Sequence, residues 1–203
     1  MNNYQSYLWI DKLLKKIVSK KRLEHIEGTS RLAESLSAIY CTDVNKTKIA
    51  SLGHDLFRDI EPGRLLLIFR GYGKKENVFE CKKPVLLHGK VAALYLKRQI
   101  DIDEEVFNAI YWHVTGHKEL SIVGKILMIS DIGEENRSFS ISKIIRNIAY
   151  KNLEEAYKLT LRSKIEWALN EDTFLLPKIV ETWNHIIGGA QSACHKGEKK
   201  KKK

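Results

Sequence analysis

Residues 21–40 read KRLEHIEGTSRLAESLSAIY, and this stretch decides the fold class. Ile26, Leu32, Ala33, Leu36 and Ile39 recur at helical spacing, so one side of a helix is apolar and the other polar. A half-buried strand would need strict alternation, and no convincing alternation occurs in the chain. Working outward, nearly every segment repeats the helical period. Tyr7, Leu8, Leu14, Ile17 and Val18 make an apolar stripe on a first helix. Asp43 is placed to cap a third helix through Ile49, Ala50, Leu52 and Leu56, and Pro62-Gly63 marks the break that follows. Residues 71–84, with Gly71, Gly73 and Pro84 among several lysines, read as a loop. Helices are expected at about 85–98 and 103–114, the second with Asp101 and Glu104 at capping-box spacing. Ser121 is placed to cap the next, which carries Ile126, Leu127 and Ile129. Two more fit 141–150 and 152–169, and Pro177 suits the first turn of a last one. With no hairpin signal and no internal repeat, the expectation is an all-α chain of one domain.

Composition narrows the class. A chain of 203 residues suits a single domain with a packed core, and 43% hydrophobic residues argue against disorder. Only 3 Pro and 12 Gly exclude collagen-like and low-complexity sequence and are few for a turn-dense β-sandwich. No apolar run approaches the ~20 residues that span a bilayer. The start, Met1-Asn2-Asn3-Tyr4, has no basic segment leading into an apolar one, so a secretory signal is not expected. Cys41, Cys81 and Cys194 form no C-x-x-C pair; free thiols in a reducing cytoplasm are the plain reading. The formal charge is +10, and residues 196–203 contribute six Lys and one Glu to it. That tail is expected to be a solvated, disordered arm, either merely solubilising or able to attract RNA, ribosomes or anionic lipid weakly.

Five of the seven histidines fall between residues 25 and 117, and one is followed by a carboxylate in Gly53-His54-Asp55. Imidazole nitrogen and carboxylate oxygen are ligands for zinc, iron or manganese. Adjacent helical residues point about 100° apart, so both face one cleft only if it is wide or holds two metals. Arg58 and Asp59 follow four residues on, on the same two faces. His25, His88, His113 and Asp131 each have an ordinary reading: a surface residue, a helix-start cap, a partner for a helix C-terminus, and a buried acid paired with an arginine. Taken together they point further, because an acid amid Ile and Met needs a compensating cation, and a metal cluster supplies one.

The order Arg22-x-x-His25, His54-Asp55, His88, His113, Asp131 resembles the HD-domain metal phosphohydrolases, and within them the YqeK-like symmetrical diadenosine tetraphosphate hydrolases. Leu87-His88-Gly89-Lys90-Val91-Ala92-Ala93 is similar to that family's LHGPVGA segment. His113-Val114-Thr115-Gly116 is similar to its HTTG, and Asp131 followed by Glu134 and Arg137 to its ADKIEPxR. The resemblance covers residues 20–183. It leaves 1–19 as an N-terminal helix packing on the core and 184–203 as a C-terminal extension. It implies a single HD-domain helical bundle with a two-metal cleft, the ions typically iron, with manganese, zinc or cobalt as alternatives. His25, His54, Asp55 and Asp131 would hold one ion, and His88, His113 and a bridging Asp55 the other. A hydroxide bridging the ions would attack a β-phosphorus and release two ADP. Asp55, Arg58 and Asp59 would form the catalytic group, with Asp59 orienting a histidine. Arg22, Arg58, Lys90, Thr115 and Arg137 would contact the dinucleoside polyphosphate. His117 is a helix-end histidine or a phosphate contact, and Tyr111, Trp112 and Phe139 are core residues or adenine platforms. The alternatives are an HD hydrolase of another nucleotide, and a non-enzymatic, metal-containing module that binds RNA or the ribosome.

Overall fold

The computed structural model describes the backbone of residues 3–198 and the side chains of residues 5–189, and no strand occurs among them. In chain order the helices are α1 (Asn3–Ile17), α2 (Lys20–Ile39), α3 (Val44–Gly53), α4 (Pro62–Gly71), α5 (Val78–Lys82), α6 (His88–Ile100), α7 (Glu104–Trp112), α8 (Ile122–Gly133), α9 (Ser140–Ala149), α10 (Leu153–Asn170) and α11 (Pro177–Glu198). A 3₁₀ turn, Pro84–Leu87, leads into α6. The all-α expectation holds.

The helix starts follow cap chemistry. The side chains of Ser19, Asp43, Ser121 and Asn152 accept backbone N–H groups of the first turns of α2, α3, α8 and α10. Three local expectations are corrected. Pro62 opens α4 rather than only ending what precedes it: its missing N–H is harmless in a first turn, and Glu61 caps that turn. The expected loop 71–84 contains α5, held by a reciprocal capping box between Asn77 and Glu80. Asp101 is the left-handed C-cap of α6 at φ 51°, and Asp103 is the residue that caps α7.

The interior divides into two apolar clusters. Ile10, Leu14, Leu52, Leu65, Phe69, Leu96 and Ile110 belong to one, which α1, α3, α4, α6 and α7 build. Leu36, Ile129, Ile145, Tyr157, Leu161 and Ile179 belong to the other, which gathers α9, α10 and α11. Helices α2 and α8 serve both: Ile26 and Leu127 join the first cluster, Leu32 and Ile126 the second. Polar groups buried on α2 and α8 therefore lie along the partition between the two apolar regions.

Outside the clusters, Lys46 at the start of α3 lies 2.9 Å from both Asp103 and Glu105 at the start of α7, clamping the helices that end in the two central histidines. Its amine is raised above the ordinary value by hydrogen bonds to Glu105 and Asp103. A raised amine stabilises fully below its unfolded value of 10.5 and loses that contribution as pH rises toward the folded value. Lys46→Met is thus expected to lower unfolding free energy by about 0.5–1 kcal/mol at pH 8, the deficit shrinking above about pH 10.5 in denaturant titrations.

Among the described residues no helix is long and apolar enough to cross a membrane. Cys41 and Cys81 are exposed free thiols. The backbone of α11 is helical through Glu198. The Cys194 side chain and Lys199–Lys203 of the lysine arm lie outside the described residues.

Candidate metal centre

Five separate elements deliver the six residues of the sequence pattern. His25 comes from α2, His54 and Asp55 from the turn closing α3, His88 from the first residue of α6, His113 from just beyond α7, and Asp131 from the last turn of α8. All six are buried. They converge in two groups, His25–His54–Asp131 and Asp55–His88–His113, each with its ligand atoms within 4.8 Å of one another. The His54-Asp55 dipeptide sits past the helix proper. There the chain tightens into turns in which Leu56 N–H bonds Gly53 O and Arg58 N–H bonds Asp55 O. Residues three apart eclipse in such turns, so Arg58 shares the face of Asp55 rather than that of His54, and both line the same cavity.

The imidazoles are fixed by their outer nitrogens. His54 Nδ1 lies 2.6 Å from Ser51 O, His88 Nδ1 2.7 Å from Val85 O, and His113 Nδ1 2.7 Å from Ile110 O. His25 Nδ1 lies 3.1 Å from the buried carboxylate of Glu134. Every Nδ1 faces an oxygen acceptor, so each neutral ring carries its proton there and turns a bare Nε2 lone pair inward. The inward atoms then crowd like with like. His88 and His113 Nε2 are 3.0 Å apart, His88 Nε2 is 3.1 Å from Asp55 Oδ1, and His25 Nε2 is 3.2 Å from Asp131 Oδ1. His54 Nε2 is buried with no hydrogen-bond partner, 3.8 Å from both Asp55 Oδ2 and Asp131 Oδ1. Four imidazole lone pairs and two carboxylates around one small volume are a donor set for cations, and the nitrogen-rich mixture suits first-row transition metals. The two Asp55 oxygens face opposite groups, as a shared ligand requires.

Protonation agrees with this. Burial pushes the Asp55 carboxyl up, but His54 and His88 beside it hold it well below the usual range. For Asp131, burial is likewise outweighed by the neighbouring His25 and His54 rings and by the charge of Lys164. Burial, with His88 and His54 nearby, drives His113 well below its ordinary value, so it is neutral. Burial lowers His54, but Asp55 and Asp131 overcome it and raise the ring: the carboxylates demand positive charge at that spot.

One glycine makes the assembly possible. A Cβ at Gly89 would lie 2.6 Å from His113 Nδ1 and 2.9 Å from Ile110 O, so α6 reaches this close to the end of α7 only without a side chain there.

The remaining residues of the pattern divide. Arg22 Nη1 donates to Asp55 Oδ2 and its Nε donates to Asp59 Oδ1 at 3.3 Å. Asp59 also accepts from Ser19 N and Oγ at 3.1 and 2.8 Å. Asp59 therefore orients Arg22 and not a histidine; the histidine partner is Glu134. Arg137 Nη2 donates to Asp131 Oδ1 at 3.0 Å and to His25 Nε2 at 3.3 Å. The Arg58 guanidinium has no hydrogen bond or ion pair among the described residues and lines the cavity over Asp55. Lys164 was not singled out by sequence: on α10, its amine lies 3.3 Å from His113 O and 3.7 Å from Asp131 Oδ2. Burial lowers that amine while Asp131 opposes the shift. The cavity of about 500 Å³ beside the ligand cluster thus has five cations on its walls, Arg22, Arg58, Lys83, Arg137 and Lys164, and the exposed rings of Phe139 and Trp167 at its rim. Lys90 and Thr115 lie elsewhere. Lys90 pairs with Glu80 at 2.6 Å, and Thr115 Oγ1 donates to Gly116 O. Both line a separate, smaller cavity. His117 stacks on Trp112 at 4.9 Å between ring centres; it lies in the loop between α7 and α8 and not at a helix end.

A helical bundle whose histidines and aspartates meet in this order defines a class, and residues 22–135 match the family described as HD domain. That match spans more than half of the chain, which belongs to this family. Among relatives, the symmetrical bis(5'-nucleosyl)-tetraphosphatase of Halalkalibacterium halodurans is 29% identical over 178 residues, covering 86% of this chain and 94% of its own. The enzyme of the same name from Staphylococcus aureus is 28% identical over 180 residues, 87% of this chain and 88% of its own. The crystal structure of a predicted HD superfamily hydrolase involved in NAD metabolism from Clostridium acetobutylicum superposes with a TM-score of 0.85. It shares 30% identity and covers 90% of this chain and 97% of that one.

Proposed function

We propose that this chain hydrolyses diadenosine tetraphosphate symmetrically to two ADP. The observation that carries the reading is the inward set of four bare Nε2 atoms and two ionised carboxylates beside a cation-walled cavity. The names of the relatives supply the substrate class. When bound, a metal pair supplies Lewis-acid charge and activates water for attack on phosphorus. Iron is the ion the family resemblance favours, and manganese, zinc and cobalt suit the same donors. The chain's own residues do the rest. Asp55 is grouped with His88 and His113 and turns its other oxygen to 3.8 Å from His25 and His54 Nε2, so it would be shared between the two ions. Arg22, Arg58, Arg137 and Lys164 offset the roughly four negative charges of the tetraphosphate, the arginines gripping phosphate through two N–H groups at once. Phe139 and Trp167, half-exposed at the rim, offer flat faces to an adenine. Water adds to a β-phosphorus, the bond from that phosphorus to the central bridging oxygen breaks, and ADP leaves with that oxygen. The exposed thiols of Cys41 and Cys81 support a reducing, cytoplasmic setting.

The test is elemental analysis of the purified protein joined to product analysis from a nucleotide panel. The expected result is about two transition-metal ions per chain and ADP as the sole nucleotide product of diadenosine tetraphosphate. Ion-free, inert protein, or AMP plus ATP as products, would overturn the reading.

A further inference from the structure

The smaller cavity, of about 340 Å³, falls within the ~300–1,000 Å³ of small-molecule sites and is not used by the chemistry above. It adjoins the larger one: Leu86, Val114 and Leu176 line both. Val114 directly follows the ligand His113, so the wall that the two cavities share begins one residue along the chain from a ligand.

The two cavities differ in charge. The large one holds Arg58 and Lys83 with no acidic partner among the described residues, along with Arg22, Arg137 and Lys164, which meet Asp55, Asp59 or Asp131. In the small one each cation is matched: Lys90 with Glu80 at 2.6 Å and Lys178 with Glu181 at 2.6 Å. Both amines also lie over the Trp112 ring, at 5.4 and 5.6 Å. Such a site has no spare positive charge for phosphate. It offers apolar walls, carboxylate acceptors and the Thr115 hydroxyl, which suit an uncharged body bearing hydroxyl and amino donors.

Given the function proposed above, on which this step rests, we infer that the small cavity receives the second nucleoside of the dinucleotide. The first nucleoside lies against the aromatic rim of the large cavity, and the phosphate chain crosses the Val114–Leu176 boundary. A symmetric substrate cut at its middle extends equally to both sides of the central bridging oxygen, and the chain provides one cavity on each side of that boundary.

Glu181 is exposed and lines only the small cavity, so Glu181→Trp narrows it without touching the ion cluster. The measurements are the KM of diadenosine tetraphosphate and, in competition, the Ki of adenosine 5'-tetraphosphate, which keeps the phosphates but has one nucleoside. The expected result is a rise in KM of about tenfold, with Ki changed less than about twofold and metal content and helicity as in the parent. Equal changes in KM and Ki, or none in either, overturn the inference while the parent's ADP production stands. A parent protein that releases no ADP overturns the functional reading and this inference with it.

Discussion

Asp55→Ala is expected to lower kcat by about 10³-fold or more and to strip the metal from the purified protein while the helical fold persists. Asp55 Oδ1 lies 3.1 Å from His88 Nε2 and 4.0 Å from His113 Nε2, while Oδ2 lies 3.8 Å from both His25 and His54 Nε2. Neither Asp131 oxygen lies within 4 Å of His88 or His113. Losing Asp55 thus removes a member of the His88–His113 group together with the oxygen that faces His25 and His54, and frees Arg22 from its buried partner. Both apolar clusters are left intact, which is why helicity by circular dichroism should match the parent. Turnover of the dinucleotide at a comparable rate by the Asp55→Ala protein would refute the shared-ligand arrangement.

Gly89→Ala is expected to be nearly as damaging, through one methyl group far smaller than any ligand. Its Cβ would overlap the His113 ring and crowd Ile110 O, which is both the acceptor of His113 Nδ1 and part of the α7 backbone. Backbone cannot swing aside as a flexible side chain can, so α6 and α7 must separate, at a cost of about 1–3 kcal/mol. With His113 displaced, kcat should fall by about 10²-fold. Gly71→Ala is the control, since a Cβ there meets nothing within 4 Å. Denaturant midpoints and kcat measured together decide the matter: loss of activity without loss of stability would show that His113 is not held by this contact.

The sequence made the ligands visible because their chemistry is unusual wherever it is placed: an acid within Ile129-Ser130-Asp131-Ile132, and an imidazole beside a carboxylate at His54-Asp55. Direction was harder to read than identity. Lys90 lies two residues past His88 on α6, about 200° around the axis, so nearness along the chain carried it to the neighbouring cavity. Lys164 was illegible for the opposite reason. In Arg162-Ser163-Lys164 it looks like any solvated helix cation, and only the packing of α10 against α8 brings its amine to Asp131. The histidine-orienting role expected of Asp59 falls to Glu134, because both are carboxylates near ligands and only the fold decides which one meets a ring. Short α5 escaped notice since five residues cannot display a period, and Asp101 and Asp103 were separable only by backbone angle.

Three of the four rings take their setting from the carbonyl three residues earlier on their own stretch of chain: Ser51 for His54, Val85 for His88, Ile110 for His113. Such anchoring is written into a single turn of backbone and borrows nothing from distant parts of the molecule. Divergence at positions that, unlike Gly89, do not touch the rings is therefore free to accumulate without rotating these imidazoles, and a rigid, nitrogen-lined receptacle of this kind should turn away calcium, which prefers a loose cage of six to eight oxygens.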